Sequence, residues 1–205
     1  MYDGSGSYNN ISALQVVDLP PSFRILNTDA FCLCENLTTI NLNDNIVKIG
    51  DYALGLESGA YNANKTMKTM ISALPTSLKV LGKNAFYGNN ANLTITSIPA
   101  GVAVVSDYCF TWCAGVNVST FGGDAGVHKL TTLGTHSFYG TGKGVTTIEI
   151  GSSITSIGYY AFYNGFDNAT TVNFGRSEYV DETGKSITPA RMGLNESKLT
   201  INYPT

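Results

Sequence analysis

The sequence is short of charge. Asp, Glu, Lys and Arg make up 13% of its 205 residues, about half of the ~25% usual in a soluble domain. Its surface therefore has to be built mostly from Ser, Thr, Asn, Gly and Tyr. The formal net charge is -3, and no basic stripe marks a nucleic-acid or anionic-membrane partner. No apolar run approaches the ~18–20 residues of a membrane span, so neither nucleic acid nor membrane insertion is expected. Met1 to Ser7 carry no basic segment and no apolar one, and no signal peptide is legible there. Either the protein is intracellular, or this is the mature part of a secreted chain behind a new Met. Histidine is scarce too, at two residues, and cysteine at four.

What the chain does have is repetition. Six small residues, Ala30, Ala53, Ala85, Cys109, Ser137 and Ala161, anchor six copies of one pattern. The next position holds Phe31, Leu54, Phe86, Phe110, Phe138 and Phe162. Four before the anchor stand Leu26, Ile49, Leu81, Val105, Leu133 and Ile157, and seven before it Phe23, Ile46, Leu78, Val102, Leu130 and Ile154. Gly50, Gly82, Gly134 and Gly158 lie three before their anchors. Each unit buries its apolar face only against its neighbours, so the chain reads as one elongated domain.

Successive anchors are 23, 32, 24, 28 and 24 residues apart, and the shorter spacings lie within the ~20–29 of leucine-rich repeats. The long gaps place insertions at 58–70 and about 122–128. Leu37-Thr-Thr-Ile-Asn-Leu42 has L-x-x-L-x-L spacing, which predicts a parallel strand with Thr39 and Asn41 pointing outward. Leu14–Leu19, Val145–Ile150 and Ala169–Phe174 read the same way. A second extended run, such as Ile46–Ile49, follows in each coil. A tight turn is expected at the Gly, chosen for its easy positive φ, then a short helical or 3₁₀ turn around the Ala-Phe pair. Residues 1–13 read as a polar lead-in, 14–174 as the six-coil solenoid and 175–205 as a C-terminal cap with a last strand at Leu199–Tyr203.

The cysteines read as core thiols. Cys34 and Cys113 share a column in coils one and four, roughly 14 Å apart at ~4.8 Å per coil, beyond the ~7 Å reach of a disulfide. Cys109–Cys113 is the one plausible internal bridge. No catalytic constellation emerges. His128 lies in an insertion. His136 precedes Ser137, but Ser137 fills the buried small-residue slot and no acid is fixed nearby. Cys32-x-Cys34 lacks a second pair or a histidine at zinc spacing. Gly140-Thr-Gly-Lys-Gly144 lacks the strand-to-helix setting of a phosphate loop. No enzyme, metal or cofactor is expected.

Units such as Leu74-Pro75…Leu78…Leu81-Gly82…Ala85-Phe86 and Ile98-Pro99…Val102…Val105…Cys109-Phe110…Cys113 resemble the BspA-like leucine-rich repeats. The resemblance covers residues 14 to about 174. It departs at Ser137, Cys109 and Leu54, and keeps the cysteine column only at Cys34 and Cys113. It implies an α/β repeat: a right-handed, β-rich solenoid with short parallel strands, usually secreted or surface-attached. It also implies an adhesin or binding module for a protein or glycan on host or neighbouring cells, without chemistry of its own.

Two surfaces are candidates for binding. One is aromatic: Tyr52, Tyr108 and Tyr160 stand just before their anchors, Tyr87, Tyr139 and Tyr163 two after theirs, with Trp112 close by. Tyr and Trp are enriched at binding hot spots, although rings in columns also stack simply to shield a corner. The other is the outward side of the strands, with Thr39, Asn41, Thr147, Glu149, Thr171 and Asn173, together with Val16, Asp18 and Ser97. An adhesin is the first functional reading. Self-association into a larger particle, favoured by low charge and open solenoid ends, is the second.

Overall fold

The computed structural model describes residues 13–56, 67–89, 92–124 and 126–205. The lead-in and most of the 58–70 insertion lie outside the described residues. Twelve short strands occur among the described residues, in the order β1 (Val16–Asp18), β2 (Ile25–Leu26), β3 (Thr39–Asn41), β4 (Lys48–Ile49), β5 (Val80–Leu81) and β6 (Val104–Val105). They continue as β7 (Thr120–Phe121), β8 (Thr132–Leu133), β9 (Thr147–Ile150), β10 (Ser156–Ile157), β11 (Thr171–Phe174) and β12 (Thr200–Asn202). Each lies inside a run expected from the sequence or in its column, but is trimmed at the ends. Turn residues set the limits: Pro20 and Pro21 follow β1, and the Asn43–Ile46 turn follows β3. Ser97, expected on a strand, is exposed and outside any strand.

The strands form two walls, and every strand pair is parallel. In the first, β1 pairs with β3, Val16 opposite Thr39, and bridges from Thr39 to Met70 and Ile71 to Leu93 carry the wall through the irregular coils. It resumes as β7-β9-β11-β12. The second wall runs β2-β4-β5-β6-β8-β10 and reaches Val180 through a bridge to Ser156. Alternation along each strand turns one set of side chains into the space between the walls. Leu26, Ile49, Leu81, Val105, Leu133 and Ile157 are buried there, as are Ile46, Leu78, Val102, Leu130 and Ile154 three residues before their counterparts. A phenylalanine ladder fills the third side: Phe86, Phe110, Phe138 and Phe162 are fully buried, with successive ring centroids 5.3, 5.3 and 6.4 Å apart. Phe121 wedges edge-on against Phe138 and Phe162 at 4.9 and 5.2 Å.

The corner differs from expectation in two ways. None of the four column glycines has a positive φ. The left-handed residues are Asp29, Tyr52, Asn84, Tyr108, His136 and Tyr160, each just before its anchor, with φ between 54° and 58°. A second left-handed set, Leu33, Gly88, Trp112, Gly140 and Asn164, follows three after the anchor. Paired left-handed residues interrupt any helical run, so the expected helical or 3₁₀ turn is instead a chain of single turns. Cys109 N–H donates to Ser106 O, Thr111 N–H to Tyr108 O and Cys113 N–H to Phe110 O.

The glycines are there for space. A Cβ on Gly50 would sit 2.7 Å from the Thr28 nitrogen, on Gly134 2.5 Å from the Asp107 nitrogen, and on Gly158 2.7 Å from the Gly134 carbonyl carbon. Each coil thus touches its predecessor backbone to backbone. Carboxylates bind the next peptide along: Asp51 Oδ1 accepts from Lys83 N–H (2.9 Å) and Asp107 Oδ1 from Thr135 N–H (3.0 Å).

Beyond Phe174 the motif ends, yet residues 175–205 continue the winding as an irregular seventh turn. Phe162 N–H donates to Met192 O as Phe138 N–H does to Ala161 O, and β12 pairs with β11. The helical turn α1 (Pro189–Met192) takes the corner's place. Thr188 Oγ1 accepts from Arg191 N–H at its start, Pro189 occupies the first turn, and Gly193 closes it at φ 92°. An antiparallel bridge from Val180 to Ser186 folds over the edge of the second wall.

Backbone contact at the glycine column predicts that Gly158→Ala destabilises by about 3 kcal/mol, at the upper end for overpacking, and lowers Tm by about 6–10 °C. Gly126→Ala, where a Cβ meets nothing within 4 Å and only the φ of +90° opposes a side chain, should lose no more than the ~1–2 kcal/mol of left-handed backbone. Thermal melts of the two variants check this, and equal losses would refute the close-approach argument.

Candidate functional site

The corner turns place the rings. A left-handed residue just before the anchor sends its side chain out of the core while the next two residues turn inward. In that column Tyr108 stacks on His136, centroids 5.0 Å apart and planes 4° apart. Tyr160 meets His136 edge-on at 5.7 Å. The column two after the anchor adds Tyr139 and Tyr163, 5.6 Å apart. Trp112, in the second left-handed set, sits edge-on to Tyr139 at 4.7 Å. The two columns join: His136 lies 5.4 Å from Tyr139, and Tyr160 stacks on Tyr163 at 4.4 Å. Five of the seven aromatic candidates therefore form one continuous row across coils four to six. Tyr108 and Tyr163 keep 38% and 43% of their surface exposed.

Tyr52 and Tyr87 stand in the same columns nearer the N-terminus. Asn84 and Thr111 take the intervening places, so the aromatic columns are broken there. Tyr159 completes the row at the other end, stacked on Tyr160 at 3.8 Å with the Arg191 guanidinium 5.7 Å above its ring. Sequence reading did not single out Tyr159, because its column otherwise holds Asp51, Lys83, Asp107 and Thr135. The adjacent tyrosines at 159–160 were its only signal.

His136 is the titrating centre of the row. Burial holds its imidazole below the usual value, against the opposing pull of Asp107 and Glu182. Its Nδ1 is buried without a hydrogen-bond partner. Ser137 Oγ is equally buried and equally unpartnered. The two residues make no hydrogen bond to each other, so the sequence neighbours His136 and Ser137 do not form a nucleophile–base pair.

The outward strand residues are brought together differently. Asn41 Nδ2 donates to Asp18 Oδ1. Asn173 Nδ2 donates to Glu149 Oε1 at 2.7 Å, and Asn202 Nδ2 to Asn173 Oδ1 at 2.7 Å. Thr171 lies opposite Thr147, and Thr39 opposite Val16. The amides and carboxylates of this wall spend their bonds on one another in a ladder along the coil axis, which leaves less for a ligand. Asn202 belongs to the ladder and was not foreseen, though Thr200-Ile-Asn202 repeats Thr39-Ile-Asn41.

All four cysteines are buried thiols outside any disulfide. Cys113 Sγ–H donates to Phe86 O at 3.0 Å, and burial pushes its thiol up to about 12. Cys109, buried beside it, is also raised. The Cys109–Cys113 bridge is not formed, and such thiols are poor nucleophiles and metal ligands. No group of three or more His, Cys, Asp or Glu able to hold a metal occurs among the described residues. No helix among them is long and apolar enough to cross a membrane.

Parallel walls, a repeated corner and a core shared only between neighbouring coils define a leucine-rich-repeat solenoid. The chain belongs to the BspA-type leucine-rich repeat family, whose model matches residues 4–58 and 56–169 with six copies. No curated protein matches the sequence. Among solved structures, a leucine-rich repeat protein from Bacteroides ovatus ATCC 8483 is 18% identical with a TM-score of 0.40, over 82% of this chain and 57% of that one. A leucine rich cell surface protein from Faecalibacterium prausnitzii A2-165 is 19% identical with a TM-score of 0.40, over 94% of this chain and 60% of that one. This chain thus spans less than two thirds of the length of either.

Two predictions follow from His136 and Ser137. A histidine whose folded value is depressed binds its proton more readily when unfolded, so stability is lost as pH falls through about 6.5 toward the lower folded value. His136→Tyr, which uses the residue the same slot holds in coils four and six, should flatten Tm against pH between about 7 and 5. Parallel profiles for wild type and variant would refute the depressed value. Ser137→Ala removes an unpartnered buried hydroxyl and should stabilise by about 1 kcal/mol, raising Tm by about 2–4 °C. A fall in Tm would show that the hydroxyl is satisfied.

Proposed function

We propose that the chain is a noncatalytic binding module that serves as a secreted or cell-surface adhesin, gripping a protein or glycan through the aromatic row of coils four to six. The observation that carries this is the row itself. Seven rings, Trp112, Tyr108, His136, Tyr139, Tyr159, Tyr160 and Tyr163, touch in sequence on the outside of the solenoid. A solenoid needs ring stacking in its core, and the phenylalanine ladder already supplies it; an outer row adds amphipathic contact area with little side-chain entropy to lose. The low surface charge suits contact chemistry over electrostatic steering. The unpaired His136 and Ser137 and the inert thiols support a noncatalytic role. Secreted or surface placement is what family membership implies.

A second reading, self-association, draws on one observation: among the described residues β12 pairs only with β11. An open edge strand can template another chain. Mass that rises with concentration in light scattering would favour it.

The aromatic reading is tested with Tyr108→Asn and Tyr139→Thr together, substitutions the fold itself uses in the same columns at Asn84 and Thr111. Adherence of the purified protein to immobilised matrix proteins and intact animal cells should fall by about tenfold, as loss of about 1.4 kcal/mol implies, with Tm nearly unchanged. Unaltered adherence, or a large loss of Tm instead, would assign the rings a packing role.

A further inference from the structure

We propose that the cleft where the aromatic row meets the seventh turn binds the terminal sugar of a neutral glycan. This rests on the reading of the row as a binding surface, and names its ligand. The cleft, of about 230 Å³, opens between the turn of coil six and the one that follows α1. Its floor is apolar, with buried Phe166 and Leu194. Its rim carries Tyr163, Asn164, Asn195 and Lys198. A pyranose offers the complement of both: an apolar C–H face and an edge of hydroxyls that donate and accept.

The volume lies below the ~300–1,000 Å³ of pockets that engulf a whole ligand, so the cleft suits an end group. A protein epitope would need roughly 800 Å² per partner, far more than this cleft presents. Tyr160 stacks on Tyr163 at 4.4 Å and Tyr139 lies tilted at 5.6 Å, yet the ring remains 43% exposed, which leaves surface for a sugar to pack on. The rim's hydrogen-bonding capacity is unspent. Among the described residues, neither the Asn164 amide nor the Lys198 ammonium finds a hydrogen-bond partner, and neither does Asn195 Nδ2. Asn195 Oδ1 is occupied, accepting from Ser197 N–H (3.2 Å) and Oγ–H (2.7 Å). Asp167 and Lys198 both line the cleft, and Asp167 also lies 4.0 Å from the exposed Lys143 ammonium; charges this exposed are screened by water, so they give an anionic sugar little advantage over a neutral one. From Tyr163 the row steps back to Tyr139 and then Trp112, at 5.6 and 4.7 Å, a track for the sugars that follow the terminal one.

The test is titration of the 15N-labelled full chain with lactose, maltose, cellobiose and N,N′-diacetylchitobiose, following backbone amides by NMR. At least one disaccharide should shift amides of 163–167 and 193–199 saturably. Asn164→Gly, the residue this column uses at Gly88 and Gly140, and Asn195→Asp, which keeps the turn acceptor, should each weaken that binding about three- to tenfold, the loss of one hydrogen bond. If no disaccharide shifts these amides while the Tyr108→Asn, Tyr139→Thr variant still loses adherence, the glycan cleft is overturned and the aromatic reading stands. If adherence is also indifferent to the rings, both fall. Shifts that persist undiminished in Asn164→Gly and Asn195→Asp would likewise overturn the assignment to this cleft.

Discussion

The structure depends on backbone contact between neighbouring coils at the glycine corner. Gly50, Gly82, Gly134 and Gly158 leave no room for a side chain because the preceding coil's peptide occupies that space. Once the coils meet there, their separation is fixed near the ~4.8 Å of paired strands, and side chains in equivalent positions become stacking partners. The buried Phe86–Phe110 and Phe110–Phe138 spacings of 5.3 Å and the outer Tyr108–His136 spacing of 5.0 Å express that same repeat on opposite sides of one backbone. The carboxylates of Asp51 and Asp107 complete the joint by accepting the peptide N–H that follows the glycine.

This geometry separates two kinds of polar surface. On the first wall, side chains in register reach each other, and the Glu149–Asn173–Asn202 ladder satisfies itself. At the corner, left-handed backbone turns rings outward, where phenols keep their hydroxyls near water and offer their faces. Such a surface suits the binding role proposed for it in a protein with few charges, because buried aromatic contact supplies affinity without long-range attraction. His136 within the row adds a proton-sensitive element, since its neutral form is the one burial favours.

Much of this was written in the chain. In a solenoid each residue's spatial neighbour is the same position one repeat away, so aligning the copies is nearly equivalent to reading contacts. Leu26, Ile49, Leu81, Val105, Leu133 and Ile157 share a column in the sequence and a layer in the core. The walls, the phenylalanine ladder and the buried Ser137 and Cys109 were legible for that reason. So were the tyrosine columns, though not their union into one row, because joining residues before and after the anchor depends on how the corner closes.

The sequence by itself determined the repeat, its period, its inward columns and the two walls, since periodic apolar spacing admits few other ways to bury them. Only the tertiary structure decided where the backbone turns left-handed. Glycine looked like that place, yet coil contact claims glycine for space and moves positive φ onto the residue before each anchor; Asp29, Asn84 and His136 are types that tolerate it, while Tyr52, Tyr108 and Tyr160 give no local sign of it. It also decided that residues 175–205 wind on as a seventh turn. The last strand, β12, was legible at Leu199–Tyr203, but Met192 meets a ladder left open by coil six, where unpaired backbone groups impose pairing on residues whose own pattern does not announce it.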